Sequence, residues 1–349
     1  MTAPGFQNES CGAVSFPGKK FPQYLIPKRS MLSYIQIARP DHWFKNVFML
    51  FGVVLAMFYR PDAFQSADAM LQIGKTIFVG LCAVCLIVSS NYVINEILDA
   101  PTDRSHPSKC FRPIPSGKVK LFWAYLEWIV LGAAGLGIAW TLNAPFFWSG
   151  AVLLLMGCAY NIPPVRTKEW IYLDVLSESV NNPLRLMLGW YLILPAQVPP
   201  LSLLISYWMV GAFFMATKRF AEYRWINDPE RAAQYRKSFR RYSEENLLVS
   251  MFIYAIASAL FLGVFIVRYR LELVLAFPIL AGFYGYYLHV GLKPNSTVQN
   301  PEHLYRERGL MAYLTLCLGA FLLLMFWDMP WLYEYFKVAP PAVESLWKF

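Results

Sequence analysis

The chain has 349 residues, of which 57% are hydrophobic and only 15% are charged, and its formal net charge is +9. Soluble domains have about 25% charged residues, so this composition excludes an ordinary soluble globular protein. The positive charge does not indicate nucleic-acid binding, because the lysines and arginines are spread over several loops instead of being clustered on one domain.

The first 30 residues contain no apolar core of the kind found in a cleavable signal peptide. We therefore interpret residues 1–30 as a flexible cytoplasmic extension. Residues 31–330 are predicted to form one transmembrane domain. It begins with an interfacial helix at residues 31–40, which ends at Pro40 because proline cannot continue a helix. Residues 331–349 are predicted to be a tail on the outer side.

Hydrophobic stretches long enough to cross about 30 Å of hydrocarbon recur along this domain. They predict an all-α, polytopic membrane protein with about nine transmembrane helices, because no alternating barrel pattern is present and an open sheet edge cannot survive in lipid. The predicted spans are residues 43–59, 76–98, 121–142, 145–161, 170–193, 199–217, 246–267, 271–292 and 309–327.

The distribution of basic residues predicts the orientation. With the N-terminus inside, 24 of the 31 lysines and arginines fall on the cytoplasmic side. Cytoplasmic loops carry an excess of these residues, so we expect a cytoplasmic N-terminus and an external C-terminus. The inner loops also hold nearly all chemistry-capable residues, which predicts a cavity that faces the cytoplasm. Within them, residues 231–243 are expected to form a basic amphipathic helix.

The first polar constellation lies at the end of a long uncharged run. That run ends at Asn95, and Glu96, Asp99 and Asp103 follow. Spacing of i, i+4 and i+8 places Asn95, Asp99 and Asp103 on one helical face, although Pro101 predicts a kink or an end of the helix between the two aspartates. Oxygen ligands at a membrane boundary favour Mg²⁺ and phosphate chemistry. The alternative is an ordinary solvated helix end.

The second constellation lies in the fifth predicted span. Asp174, Glu178 and Arg185 share one face of that helix. Ionisable residues inside apolar sequence are expected to face a polar cavity. The alternative is an internal salt bridge that only supports helix packing. Further candidate phosphate ligands are Lys45, Lys109, Arg112, Lys218 and Arg219, with Glu222 one turn beyond the last pair; each single cation also fits a topology signal.

These residues resemble the UbiA superfamily of intramembrane prenyltransferases, in its polyprenyl-phosphate phosphoribosyltransferase branch. The resemblance covers about residues 33–327. It rests on the acidic first motif from Asn95 to Asp103 and on the acidic second motif around Asp174. The branch-specific segments are R-P-x-x-W-x-K-N at residues 39–46, D-R-x-H-P-x-K-x-x-R-P-I at residues 103–114, Tyr160 before the second motif, and K-R-x-A-E at residues 218–222.

The resemblance implies transfer of 5-phosphoribose from phosphoribosyl diphosphate to a polyprenyl phosphate at the cell membrane, with release of diphosphate. It implies catalytic roles for Asp99, Asp103 and Asp174. Mg²⁺ would be held by Asn95, Glu96, Asp99 and Asp103. The implied substrate-binding residues are Lys45, Lys109, Arg112, Tyr160, Glu178, Arg185, Lys218, Arg219 and Glu222. The implied partners are the two substrates and the bilayer, with a homo-oligomer as a further possibility and no nucleic acid.

Two other functions remain open from the sequence. The first is prenyl transfer from a prenyl diphosphate to an aromatic or other acceptor, for which the same Mg²⁺ site would serve. The second is transport of an anionic lipid or metabolite through a buried relay of Asp, Glu and Arg. Transport is disfavoured because no inverted repeat is evident and both acidic motifs lie at one face. His106, close to the first motif, is a weaker candidate for the site.

Overall fold

A computed structural model of the chain describes residues 30–59, 66–104, 109–294, 296–299, 304 and 306–339. Every regular element within these ranges is a helix, which confirms the predicted all-α class. The α-helices are α1 (Met31–Ile37), α2 (Met49–Phe58), α3 (Ala67–Asp103), α4 (Leu121–Leu142), α5 (Ala144–Asn161), α6 (Leu173–Ser179), α7 (Asn181–Ile193), α8 (Leu201–Ile226), α9 (Pro229–Tyr235), α10 (Glu244–Tyr269), α11 (Phe277–Leu292), α12 (Arg308–Phe326) and α13 (Pro330–Phe336). The predicted extension, apart from Ser30, and His106 lie outside the described residues.

Eight helical runs of the described chain are long and apolar enough to cross a membrane, so the chain is a multi-pass membrane protein. Two of these runs, Met31–Phe58 and Leu271–Leu292, each contain a 3-10 segment that continues into an α-helix. The predicted fifth span is divided into α6 and α7 at Val180. Pro183 accounts for the division, because it has no N–H to donate to the preceding turn. A count of nine spans therefore stays a prediction.

The longest helix, α3, carries the first acidic motif. The side chain of Ser66 accepts a hydrogen bond from the amide of Ala69 and caps the helix start. Its 37 residues correspond to roughly 55 Å, more than the hydrocarbon thickness, so one end must project beyond it. The expectation that the helix could end at Pro101 is wrong: α3 continues through Pro101 to Asp103. Proline in the last turn removes only one helical hydrogen bond.

The bundle is held together by close helix pairs, of which α2 with α7, α3 with α4, and α8 with α10 have the most extensive contacts. Glycines allow the first pair to approach. A Cβ at Gly52 would lie 2.0 Å from the carbonyl oxygen of Leu186, and one at Gly189 would lie 1.9 Å from that of Met49. No larger residue fits at either position, and the close approach fixes α7, and with it Arg185, against the first span.

The two ends of the bundle differ in their buried charges. At the polar end, defined by the ends of α3, α5 and α8 at Asp103, Asn161 and Ile226, the loops carry the acidic motifs. At the opposite end, the guanidinium of Arg270 lies 3.3 Å from Glu272 and 2.5 Å from Asp328. This group joins α10 to the chain segment that leads into α13.

The basic segment at the polar end is not a single amphipathic helix. The structure gives α9 up to Tyr235, then Arg236 in an extended conformation, then a 3-10 turn from Lys237 to Arg240. Ser238 and Phe239 are buried beneath this turn. The prediction of one helix over residues 231–243 is therefore wrong, because the chain must turn to bury these two side chains.

Candidate active site

The face of α3 predicted to bind a metal lies against the loop between α5 and α6. Oδ1 of Asp99 accepts hydrogen bonds from Lys168 Nζ at 2.5 Å and from Arg166 Nη2 at 3.0 Å. The amide nitrogen of Asn95 donates to Oδ1 of Asn161 at 2.5 Å. In the sequence, Arg166 and Lys168 are cations that fit a topology signal better than a ligand, yet the fold places both on Asp99.

The last carboxylate of the motif pairs with the loop that follows α3. Oδ2 of Asp103 accepts a hydrogen bond from Arg112 Nη1 at 2.7 Å. Lys109 lies with its ammonium 5.5 Å from the centre of the Tyr235 ring. Burial lowers the pKa of Lys109, and nearby Asp103 opposes that shift. The structure thus brings Lys109 and Arg112 to the end of α3, as their predicted role in phosphate binding requires.

Glu96 requires a correction to the predicted ligand set. Its Oε1 accepts a hydrogen bond from the backbone amide of Ile114 at 3.0 Å, and the residue is buried. Glu96 precedes Asp103 by seven residues and lies on nearly the same face of α3, but its carboxylate is bound to the loop after α3. We remove Glu96 from the proposed metal ligands and assign it to holding the 109–120 loop.

The second acidic motif is organised around the guanidinium of Arg219, which is 1% exposed. Arg219 bonds three carboxylates: Asp174 at 3.3 Å, Glu178 at 2.6 Å and Glu222 at 3.2 Å. Lys218 Nζ lies 4.0 Å from Glu222 on the same helix. Arg219 and Glu222 were predicted to bind substrate, but their burial and mutual bonds give them the role of a scaffold for Glu178.

Asp174 was predicted to be catalytic, and the structure places it differently. Its carboxylate is 0% exposed and accepts hydrogen bonds from Tyr242 at 2.8 Å and Ser238 at 3.1 Å in addition to Arg219. A carboxylate with this many donors has no face left for a substrate. We therefore treat Asp174 as a positioning residue that fixes α6 against the turn after α9.

Glu178 is the open carboxylate of the second motif, because its side chain is 32% exposed. Its Oε2 accepts a hydrogen bond from Tyr160 OH at 3.1 Å. The ring of Tyr160 also lies 5.8 Å from the ammonium of Lys168. Tyr160 thus connects the two acidic motifs, and the structure brings these predicted residues together at the polar end.

Arg236 is a site residue that sequence reasoning missed. Its Nη1 lies 3.7 Å from Oδ2 of Asp174, and its guanidinium also interacts with Tyr160. Its charge acts on both Lys109 and Lys168, so it stands between the two motifs. The only indication of Arg236 in the sequence is its place in the arginine-rich segment 231–243, which predicts a surface helix and not a site residue.

Arg185 lies deeper in the bundle than the acidic motifs. Its Nε donates to Oδ1 of Asn46 at 3.2 Å, and Tyr92 and Tyr207 are polar neighbours. Within the described chain its recorded partners are Asn46, the carbonyl of Asn181 and neighbouring Tyr and Cys side chains, and no carboxylate is among them. Tyr92 precedes Asp99 by seven residues of α3, so Arg185 lies about 10 Å below the first motif along the helix axis.

Lys45, predicted to bind substrate, is part of the same deeper group. Its Nζ lies 3.2 Å from Nδ1 of His42, and that ring nitrogen lies 3.3 Å from Tyr92 OH. The predicted single face of Asp174, Glu178 and Arg185 is therefore divided. The two acids belong to the polar end, whereas Arg185 and Lys45 form a basic group one to two helical turns below it.

The donor set on α3 fits Mg²⁺. Within the described ranges, no three His, Cys, Asp or Glu side chains are grouped as a metal-ligand set. Mg²⁺ does not require one, because it commonly uses one or two carboxylates together with phosphate oxygens and waters. Asp99 supplies one carboxylate, and Asp103, which is buried and bound to Arg112 through Oδ2, would supply the second through its other oxygen. Asn95 bonds through its amide nitrogen, which leaves Oδ1 as a third oxygen donor.

Comparison with known proteins identifies the class. Residues 47–306 match the UbiA prenyltransferase family, so the chain belongs to this family, and the predicted family is confirmed. The fold agrees: a UbiA homolog from Archaeoglobus fulgidus, solved bound to GPP and Mg²⁺, superposes with a TM-score of 0.62 at 19% identity, covering 84% of this chain and 99% of that chain.

Two curated relatives narrow the resemblance. Decaprenyl-phosphate phosphoribosyltransferase of Mycolicibacterium smegmatis is 31% identical over 223 residues, which are 63% of this chain and 66% of the relative. The protein of the same name from Mycobacterium tuberculosis is 28% identical over 223 residues, covering 63% of this chain and 69% of that relative. The alignment thus spans just under two thirds of the first relative's length.

Proposed function

We propose that this membrane protein transfers 5-phosphoribose from phosphoribosyl diphosphate to a polyprenyl phosphate and releases diphosphate. The relatives with that activity in their names support the reaction, as do the residues around the two acidic motifs. We further propose that the polar end faces the cytoplasm at the inner membrane, with the N-terminus inside and the C-terminus outside. A homo-oligomer stays a prediction.

The observation that carries this choice of donor is the position of Arg185. It is a deep cation without a carboxylate partner in the described chain, about 10 Å from Asp99 along α3. An uncompensated charge at membrane depth is unfavourable unless a ligand neutralises it. A prenyl tail leading away from a diphosphate at Asp99 would leave Arg185 uncompensated. Phosphoribosyl diphosphate carries a phosphate at its other end, which would neutralise it.

The reaction breaks the anomeric C–O bond to diphosphate and forms a C–O bond to the lipid phosphate. The leaving electron pair goes to diphosphate. Asp99, Asp103 and Asn95 would hold Mg²⁺, which stabilises negative charge on the departing diphosphate. Lys109 and Arg112 are placed to bind its oxygens, with the planar guanidinium suited to two at once. The lipid phosphate is already an anion, so no strong general base is required.

The sugar would lie between these two groups. Glu178 is the partly exposed acid of the second motif, with Tyr160 as its hydrogen-bond donor. The Glu178 carboxylate can accept hydrogen bonds from hydroxyl groups, which suits a ribose better than an apolar chain. Catalysis would then depend on positioning and on electrostatic stabilisation of the leaving group.

Prenyl transfer to an acid-bearing aromatic acceptor is the second candidate, because Arg185 would also bind a carboxylate. An assay with purified protein separates the two. Labelled phosphoribosyl diphosphate, Mg²⁺ and polyprenyl phosphate should yield a labelled lipid. Consumption of a prenyl diphosphate with an aromatic carboxylate, and no labelled lipid from the first mixture, would overturn the proposal.

An Arg185 variant tests whether this deep arginine binds the donor. Arg185→Leu should raise the KM for phosphoribosyl diphosphate by about 100-fold, because a buried charge-assisted contact is lost. Arg268→Leu is the matched control, since Arg268 is an exposed arginine at the opposite end of the bundle. An unchanged KM in Arg185→Leu would remove Arg185 from the donor site.

A further inference from the structure

The ammonium of Lys168 lies between two oxygen atoms on the face of α3 that is proposed to bind the metal. Its Nζ donates to Oδ1 of Asp99 at 2.5 Å and to Oδ1 of Asn161 at 2.9 Å. Asn161 is at the same time bound to Asn95. The side chain of Lys168 is 10% exposed. A cation surrounded by one carboxylate and one amide oxygen has surroundings that also suit a metal ion.

The loop that carries Lys168 is fastened in this position. Arg166, two residues earlier, bonds Asp99 as well and is itself held by Glu169 at 2.7 Å. The hydroxyl of Thr167 donates to Ser177 on α6 at 2.8 Å. Lys168 is therefore not a mobile surface lysine that meets Asp99 by chance, because its neighbours on both sides are bound to the bundle.

A metal ion and this ammonium compete for the same oxygen. Both are cations, and in a partly buried site their repulsion is screened less than in water. Metal binding at Oδ1 of Asp99 would therefore displace Lys168. The ammonium then needs a new anion, because its side chain is only 10% exposed. The diphosphate of a donor supplies that anion.

We propose that Lys168 is a place-holder for the metal. Its ammonium occupies the metal position at Asp99 until the metal binds, and then moves to the diphosphate of the donor. In this arrangement the metal alone binds weakly, and diphosphate and metal strengthen each other's binding reciprocally. Release of diphosphate returns Lys168 to Asp99 and weakens the hold on the metal. The inference rests on the metal site of the proposed function, but on neither choice of donor.

The test uses the full-length protein in detergent with Mn²⁺ as the metal probe. Free Mn²⁺ is measured by its electron paramagnetic resonance signal, without any donor. Lys168→Met should bind Mn²⁺ about tenfold or more tightly than the wild type, because the competing charge is gone. Lys168→Gln should do the same, and Lys168→Arg should stay weak. Lys293→Met is the matched control, since Lys293 is exposed at the same end of the bundle.

Binding of labelled inorganic diphosphate supplies the second readout. At saturating Mn²⁺, Lys168→Met should bind diphosphate about tenfold more weakly than the wild type, because the ammonium no longer reaches it. The proposal is overturned if both neutral variants, shown to be folded by size-exclusion chromatography and thermal melting, bind Mn²⁺ no more tightly than the wild type.

A double variant separates this failure from a failure of the metal site itself. Asp99→Asn in the Lys168→Met background should lose Mn²⁺ binding. If it binds Mn²⁺ as well as Lys168→Met alone, Asp99 is not a metal ligand, and both the metal assignment and the place-holder role are wrong. If Mn²⁺ binding depends on Asp99 but is unaffected by Lys168, only the place-holder role is wrong.

Discussion

Each end of this bundle contains a buried arginine bound by carboxylates, and the two groups differ in what remains available for a ligand. At the opposite end, Arg270 is bound by Glu272 and Asp328, and it also donates to the carbonyl of Leu324. Glu272 itself accepts hydrogen bonds from Tyr333 and from the amide of Met329. Glu272 is therefore closed, since its carboxylate is 1% exposed and engaged on both oxygens, and Asp328 is the one partly exposed acid of this group.

The group around Arg219 is closed on one side only. Asp174 and Arg219 are as buried as Glu272 and Arg270, but Glu178 is 32% exposed. Asp99 on α3 is also partly exposed, at 23%. A buried ion pair is thus not by itself evidence of a site. The opposite end has one partly exposed acid, Asp328, on its buried arginine. The polar end has two partly exposed acids from different helices, Glu178 and Asp99, which are connected through Tyr160 and Lys168.

The largest expected effect tests the open side of this comparison. Asp99→Asn should lower the rate of transfer by about 10³-fold, because it removes a carboxylate from the metal site. The thermal midpoint should hardly change, since asparagine keeps the Oδ1 acceptor for Arg166 and Lys168. Asp68→Asn, at the exposed other end of the same helix, is the control. Transfer near the wild-type rate in Asp99→Asn would contradict the metal assignment.

The next effect tests the buried group around Arg270 at the opposite end of the bundle. Glu272→Ala should lower the free energy of unfolding by about 3 kcal/mol, because it leaves Arg270 and Tyr333 with a missing acceptor in a buried group. Glu244→Ala removes an exposed partner of Arg224 and should change stability by less than about 1 kcal/mol. Unfolding in detergent is the measurement. The rate per folded molecule should be unchanged, and a large loss of rate would show that the opposite end takes part in function.

The smallest effect concerns Glu96, which is buried and hydrogen-bonded like Glu272 although it belongs to the first motif. Glu96→Ala should cost about 1 kcal/mol of stability, because the buried amide of Ile114 loses its acceptor. Glu96→Gln should be close to neutral, since an acceptor oxygen remains. Both variants should keep the metal affinity of the wild type in the Mn²⁺ assay. A loss of affinity in Glu96→Gln would return Glu96 to the ligand set.

Much of this arrangement followed from the sequence. The hydrophobic runs determined the membrane class, because about 30 Å of hydrocarbon requires long apolar helices. The spacing of Asn95, Asp99 and Asp103 determined a common face, because the period of a helix is fixed. The structure keeps these three together, even though Pro101 predicted an interruption.

The tertiary structure decided which charged residues are available to a ligand. Sequence spacing placed Asp174, Glu178 and Arg185 on one face, but burial by the turn after α9 closed Asp174, and the close contact of α2 with α7 put Arg185 beside Asn46. Sequence also gave no reason to join Lys168 to Asp99, 69 positions away. Helical period is a local property, whereas burial and partner choice depend on which helices pack together, and that is settled only when the whole bundle forms.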